Sequence, residues 1–219
     1  VPRLRLRHSM STNLPYYEVE GRQYPRVTSI LSILRDPDLE VWAEKVGPVA
    51  AKRKATHAAK VGTTLDRMIK QQVAGEKVTW PRPASAEVRQ GWKAWEEYRR
   101  LHEVDYQIGK PLVSPLYGYG GEPDLYKEEE IVDIKATTRL REKHWIQLHA
   151  YAPLLFPAWK PHRQWSDVML KLIRLDTFLG TYEVKMRRWD RQIWETFLKL
   201  KDVYATWYQP QEEAHVSRQ

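Results

Sequence analysis

The hydrophobic period of the chain changes near residue 105, and that change limits what it can fold into. Before it, apolar residues recur at helical spacing. Residues 48–74 are alanine-rich with few breakers, which predicts one long helix, interrupted if anywhere at Gly62 and ended by Gly75. Ser85 is placed to cap a second helix over 86–103, with Val88, Trp92, Trp95 and Leu101 on its apolar face. After the change, short β-branched runs take over. Residues 106–108, 112–113, 131–135, 168–175 and 180–184 read as extended, and 117–121 (YGYGG) as a flexible approach between them. Helical spacing returns over 144–156 and 190–208.

Alternation of this kind predicts an α/β or α+β fold: a central mixed β-sheet flanked by helices, plus a helical N-terminal lobe. The expected organisation is one domain over 10–210, with the lobe at 10–104 and the core at 105–210. Residues 1–9 (VPRLRLRHS) read as an expression remnant or a disordered lead, and 211–219 as a polar tail.

The chain has no cysteine, which excludes disulfides, thiolate zinc sites, iron–sulfur clusters and cysteine nucleophiles. Any metal must be held by oxygen or imidazole, and oxygen-rich sites favour Mg²⁺ or Mn²⁺. No apolar run approaches the ~20 residues of a membrane span. The net charge of +8 suits a polyanionic partner. Ten Trp and twelve Tyr against three Phe supply amphipathic rings able to stack on unpaired bases.

The chemistry-bearing residues concentrate between 121 and 151. A polar turn between Asp124 and Asp133 predicts a hairpin that brings the two carboxylates to one end of a sheet. In a strand, alternate side chains share a face, so Asp133 and Lys135 point one way and Val132 and Ile134 the other. Two carboxylates suit a hard divalent cation, and an ammonium beside them suits the negative charge that grows on a phosphate under attack. Gln147 and Tyr151, four residues apart, share one helix face.

The strings GYGGEPDLY, IVDIKATT and WIQLHAYA resemble, in that order, the PD-(D/E)XK nuclease superfamily, in its RecB-type exonuclease branch. The matching positions are Gly121 with Asp124, then Asp133-Ile134-Lys135, then Gln147 with Tyr151. The resemblance implies a restriction-endonuclease-like core and a metal-dependent DNA exonuclease. Asp124, Asp133 and the Ile134 carbonyl would bind Mg²⁺ or Mn²⁺, Lys135 would assist the attacking water, and Gln147 and Tyr151 would position the strand or Lys135. Upstream, YPRVTSIL and the stretch Gly62–Asp66 are similar to the N-terminal half of phage and mitochondrial members. There the family carries a histidine ligand where this chain has Asp66, so Asp66 becomes the matching metal ligand and His57 a lesser candidate. Lys110 falls where a further family acid is expected. Thr137, Thr138, Arg139, Arg141, Lys143 and His144 follow the motif and are the expected nucleic-acid contacts.

The implied setting is recombination, repair or replication in a bacterial or phage-bearing cytoplasm, or the mitochondrial matrix. DNA is the expected partner, with a helicase or single-strand-binding protein beside it. Two other readings stay open: a structure-specific endonuclease of the same superfamily, and a non-catalytic nucleic-acid-binding module.

Overall fold

The computed structural model describes residues 15–156 and 164–207, so the expected remnant at 1–9 and tail at 211–219 lie outside the described residues. The chain opens with a hairpin of β1 (Tyr16–Val19) and β2 (Arg22–Pro25), turned by Glu20 and Gly21 at φ 51° and 76°. A short α1 (Val27–Ile30) follows, then α2 (Pro37–Val46) and α3 (Pro48–Val73). Asp36 caps α2 by accepting the Leu39 N–H at 3.3 Å, and Pro37 takes the first helical position. α3 runs through Gly62 without a break.

α4 (Ala86–Leu101) starts where expected, its Ser85 hydroxyl accepting the Val88 N–H at 3.3 Å. Its buried face is Val88, Ala94, Trp95 and Tyr98, whereas Leu101 is 55 % exposed. The small Gly91 lies in that face because a Cβ there would strike Leu65 of α3 at 2.4 Å.

The second half supplies β3 (Gln107–Ile108), β4 (Leu112–Ser114), β5 (Tyr119–Gly121), β6 (Leu125–Lys127) and β7 (Glu130–Lys135). Then come α5 (Glu142–Leu155), β8 (Met169–Leu175), β9 (Tyr182–Arg188) and α6 (Arg191–Trp207). The main sheet has the order β3-β6-β7-β8-β9. Its pairs are antiparallel except β7 with β8, which α5 connects as a crossover. β4 and β5 make a separate two-stranded ribbon. β9 runs four residues beyond the expected 180–184, staying paired with β8 down to Arg188.

Both faces of the sheet are covered, and the alternation along the strands assigns each residue to a side. Ile131, Leu170 and Leu172 pack with α1, α5 and α6, around Trp145, Leu148 and Phe197. Val132, Ile173 and Leu175 pack with α3 and α4, around Leu65, Met68 and Trp95. The expected N-terminal helical lobe is therefore largely this second layer, sharing a core with the sheet. α2, which has no buried residue, and the first half of α3, exposed over 52–60, stand clear of that core. Among the described residues no helix is long and apolar enough to cross a membrane.

Residues 117–121 differ from the expected flexible approach. Tyr119, Gly120 and Gly121 form the buried strand β5. The two glycines admit large rings to the backbone: a Cβ on Gly120 would lie 2.6 Å from Tyr17, and one on Gly121 2.6 Å from Tyr151. Long-range ring packing, invisible in the local sequence, turns a glycine-rich stretch into ordered strand.

Candidate active site

The hairpin of β6 and β7 has the turn foreseen between Asp124 and Asp133. Its register pairs Leu125 with Val132 and Tyr126 with Ile131, so one further step sets Asp124 across from Asp133. Asp124 lies just beyond β6, and there its side chain takes over from the ladder: Oδ2 accepts the Ile134 N–H at 2.7 Å. Asp133 and Lys135 face α5, and Val132 and Ile134 belong to the α3–α4 side.

A row of hydrogen bonds ties the strand to α5. The Lys135 ammonium donates to Asp133 Oδ1 at 2.9 Å and to Gln147 Oε1 at 3.1 Å. Gln147 Nε2 donates to the Tyr151 hydroxyl at 2.7 Å. Gln147 and Tyr151 are one helical turn apart, so a single face of α5 carries both, Gln147 reaching Lys135 and Tyr151 reaching Gln147. Tyr151 is buried against Gly121, which fixes its ring. Lys135 also lies 2.8 Å from Asp133 Oδ2, but only the Oδ1 contact is aligned as a hydrogen bond. Oδ2 stays buried with no hydrogen-bond partner.

These groups open into one cleft of about 650 Å³ at the C-terminal end of β7. Asp66, Asp124, Asp133, Ile134, Lys135, Gln147 and Tyr151 all line it, so of the residues expected to catalyse or to hold metal the structure brings together all but the lesser candidate His57. Asp66 reaches it from α3, where Ala59, Gly62, Thr63 and Lys70 share the same face. His57 points elsewhere, its Nε2 being 3.1 Å from Glu87 Oε1. Among the described residues, no three histidine, aspartate or glutamate side chains close into a ready metal cage.

Electrostatics follow from burial and crowding. Burial lifts the Asp133 carboxyl to about 7; Lys135 opposes this, and Asp124 and Asp66 add to it. Burial also raises Asp66, with Asp124 pushing the same way and Lys70 against. For Lys135, burial pulls downward, but Asp133, Asp124 and Asp66 outweigh it and hold the ammonium above the usual lysine range.

Several lining residues carry no sequence signal of their own. Glu122 pairs with Lys70 at 3.4 Å, and Lys70 pairs with Asp66 at 3.2 Å. Arg26 enters from the β2–α1 junction with its guanidinium over the Tyr17 ring at 4.5 Å. The i, i+4 spacing of Asp66 and Lys70 was the one usable clue. Glu122 supplies an acid to the cleft, whereas Lys110, where the family pattern led one to expect it, does not line it.

The expected nucleic-acid contacts stand apart from the cleft. Arg139 pairs with Asp38, and Arg141 with Asp36 at 2.6 Å, so both guanidinium groups hold the start of α2. The Thr137 hydroxyl donates to the Arg139 carbonyl at 3.4 Å, Thr138 is exposed, and Lys143 is half-buried. His144 is not a surface contact. It is 8 % exposed, and its Nδ1 accepts the Arg141 N–H at 3.2 Å.

Burial, with Lys135, Lys143 and Arg141 nearby, depresses His144 to about 4. Its folded value lies below the unfolded ~6.5, so its stabilisation is complete above ~6.5 and is lost as pH falls toward 4. Each unit of that window is worth up to ~1.4 kcal/mol. Asp133 acts with the opposite sign between its ordinary value and 7, so the comparison must be with a variant. His144→Gln is expected to flatten the fall of Tm between pH 7 and 4.5; an unchanged slope would remove His144 as the acid-sensitive group.

No family model matches the chain, and no curated protein does. Among solved structures it is similar to SSO0001, with 12 % identity and a TM-score of 0.46 over 87 % of this chain and 79 % of that one. It is similar also to an alkaline exonuclease (LHK-Exo) from Laribacter hongkongensis, with 10 % identity and a TM-score of 0.46 over 84 % and 86 %. LHK-Exo in complex with dAMP gives 14 % identity and a TM-score of 0.34 over 65 % and 76 %. At these scores the functional reading rests on the residues of the cleft alone.

Proposed function

We propose that this chain is a Mg²⁺- or Mn²⁺-dependent deoxyribonuclease that hydrolyses phosphodiesters from strand ends. The observation that supports it is the row Asp133–Lys135–Gln147–Tyr151 sharing a cleft with Asp66 and Asp124.

The donor set suits a hard cation. The acidic groups offer only oxygen, and one of those oxygens, Asp133 Oδ2, is buried without a hydrogen bond. Four carboxylates, Asp66, Glu122, Asp124 and Asp133, face three cations, Arg26, Lys70 and Lys135. Such walls repel a phosphodiester until positive charge is added. Asp66, Asp124, Asp133 and the Ile134 carbonyl would hold the ion, with Glu122 beside them. A bound Mg²⁺ or Mn²⁺ supplies Lewis-acid polarisation of the phosphoryl oxygen and an acidified water.

The chain's own residues divide the remaining work. Lys135 stays an ammonium, so it does not serve as the proton acceptor. Anchored by Asp133 and Gln147, it keeps a third N–H for the attacking water or a non-bridging oxygen. Gln147 accepts from Lys135 and donates to Tyr151, which fixes the orientation of its amide. A helicase or single-strand-binding protein that exposes strand ends, and a bacterial or phage setting, belong to the same proposal.

A non-catalytic nucleic-acid-binding module is the second reading, favoured by the absence of a closed three-ligand cage among the described residues. One time course separates the readings, using DNA labelled at the 5′ or 3′ end, with and without EDTA, beside closed circular single strands. Linear DNA is expected to be degraded only with Mg²⁺ or Mn²⁺, and circles to survive. Linearised circles would assign an endonuclease. Intact substrates, together with no calorimetric binding of Mn²⁺, would assign the module.

A further inference from the structure

The turn joining β8 to β9 displays two large apolar side chains that the fold does not use. Phe178 is 85 % exposed and Leu179 62 %. The turn itself is tightly built. Asp176 Oδ1 accepts the N–H groups of Phe178 and Leu179, each at 2.9 Å. The Asp176 N–H donates to the Thr181 carbonyl at 2.8 Å, and the Gly180 N–H to the Asp176 carbonyl at 2.9 Å. Gly180 closes the turn at φ 69°, a conformation that side chains resist.

This turn is keyed to the strand that carries Lys135. Arg174 pairs with Asp176 at 3.1 Å and donates to the Thr138 carbonyl at 3.4 Å, and Arg174 is the register partner of Lys135 across β7 and β8. Leu175 lines the cleft, and Phe178 comes three residues later, so the chain places it at most ~11 Å further on. Thr177 and Leu65 both abut Gly91, and Leu65 is itself a wall of the cleft. The turn therefore lies at the same end of the sheet as the cleft, its base packed on α4 where Gly180 meets Gln90 and Lys93, and its tip is exposed beyond the Leu175 wall.

Building on the nuclease reading, we infer that Phe178 is a stacking platform for an unpaired base of the strand held in the cleft. A strand whose phosphate lies at Lys135 and which leaves past Arg174 carries its bases toward this ring. Every base has a π-face, so one aromatic serves any sequence. The hydrogen-bonded turn holds the Phe178 backbone in place before the strand arrives, which confines the ordering cost of binding to the side chain. The net charge of +8 favours a polyanionic occupant over a second copy of the same basic chain.

The test compares wild type, Phe178→Ala and Phe178→Trp on a (dT)₂₀ strand and on the same strand with abasic sites near its ends. Phe178→Ala is expected to raise KM on (dT)₂₀ by about five- to hundredfold, the range of base–aromatic stacking, with kcat little changed. It should leave KM on the abasic strand and hydrolysis of thymidine 5′-(p-nitrophenyl phosphate) unaltered, and Phe178→Trp should restore KM. An equal rise on both strands, or no rise on either, would overturn the assignment. If no DNA is cut at all, the nuclease reading fails separately. A titration with 2-aminopurine-labelled strands in EDTA then decides: quenching by wild type and not by Phe178→Ala supports the platform, and no quenching removes it. An unchanged KM with weakened self-association in sedimentation would overturn it in favour of a second copy on the tip.

Discussion

Lys135→Ala is expected to lower DNA hydrolysis at least 10²- to 10³-fold, the loss typical of removing one preorganised donor at a developing negative charge. The fold should survive. Asp133 would lose its ammonium, but its carboxyl already tends to protonate under burial, so it can neutralise by taking up a proton. Asp133→Asn removes the charge instead and leaves Lys135 a partly buried cation, held by Gln147 and by the more distant carboxylates of Asp124 and Asp66. That change is expected to cost activity to a similar degree and stability as well, by a few kcal/mol if the ammonium stays charged. Steady-state rates on end-labelled DNA, with circular dichroism and Tm for each variant, check both. Hydrolysis by Lys135→Ala within threefold of wild type would falsify the role given to its ammonium.

Gly109→Ala should be the most damaging small substitution near the site. A Cβ at Gly109 would lie 1.6 Å from the Pro123 carbonyl oxygen, which is backbone and cannot rotate aside. Gly109 also donates its N–H to the Asp124 carbonyl at 3.0 Å, so the displaced segment is the one that carries Asp124. Overpacking against flexible side chains costs ~1–3 kcal/mol, and a backbone clash belongs at or above that limit. For a domain of this size the expected fall in Tm is ~6–12 °C. Activity should drop further than stability explains, because Asp124 moves relative to Asp133. Thermal unfolding and hydrolysis at a temperature where the variant is fully folded separate the two effects. A Tm within ~2 °C of wild type would show that the β3–β6 edge yields more easily than its geometry indicates.

Much of the site was legible because its parts are local. The polar turn between Tyr126 and Ile131, the alternation through Asp133 and Lys135, and the one-turn spacing of Gln147 and Tyr151 each follow from a single element's period. What escaped was set by contacts distant in sequence. Asp36 and Asp38 meet Arg139 and Arg141 across about a hundred residues, so two apparently free arginines became structural. Ten of the fourteen residues of α5 are buried, since helices and sheet enclose it; with no clear polar face to mark its limits, its start lay two residues earlier than its pattern indicated. Glu122 gave no local sign of joining Lys70, which is supplied by a helix fifty residues upstream.

The bond from Ile134 N–H to Asp124 has a consequence for how the molecule breathes. Its carboxylate serves as the last rung at the open end of the β6–β7 hairpin, so fraying of that edge and loosening of the acidic group are one event. Deuterium uptake at the Ile134 amide would therefore report how often Asp124 lets go, a clock built into the backbone beside the chemistry.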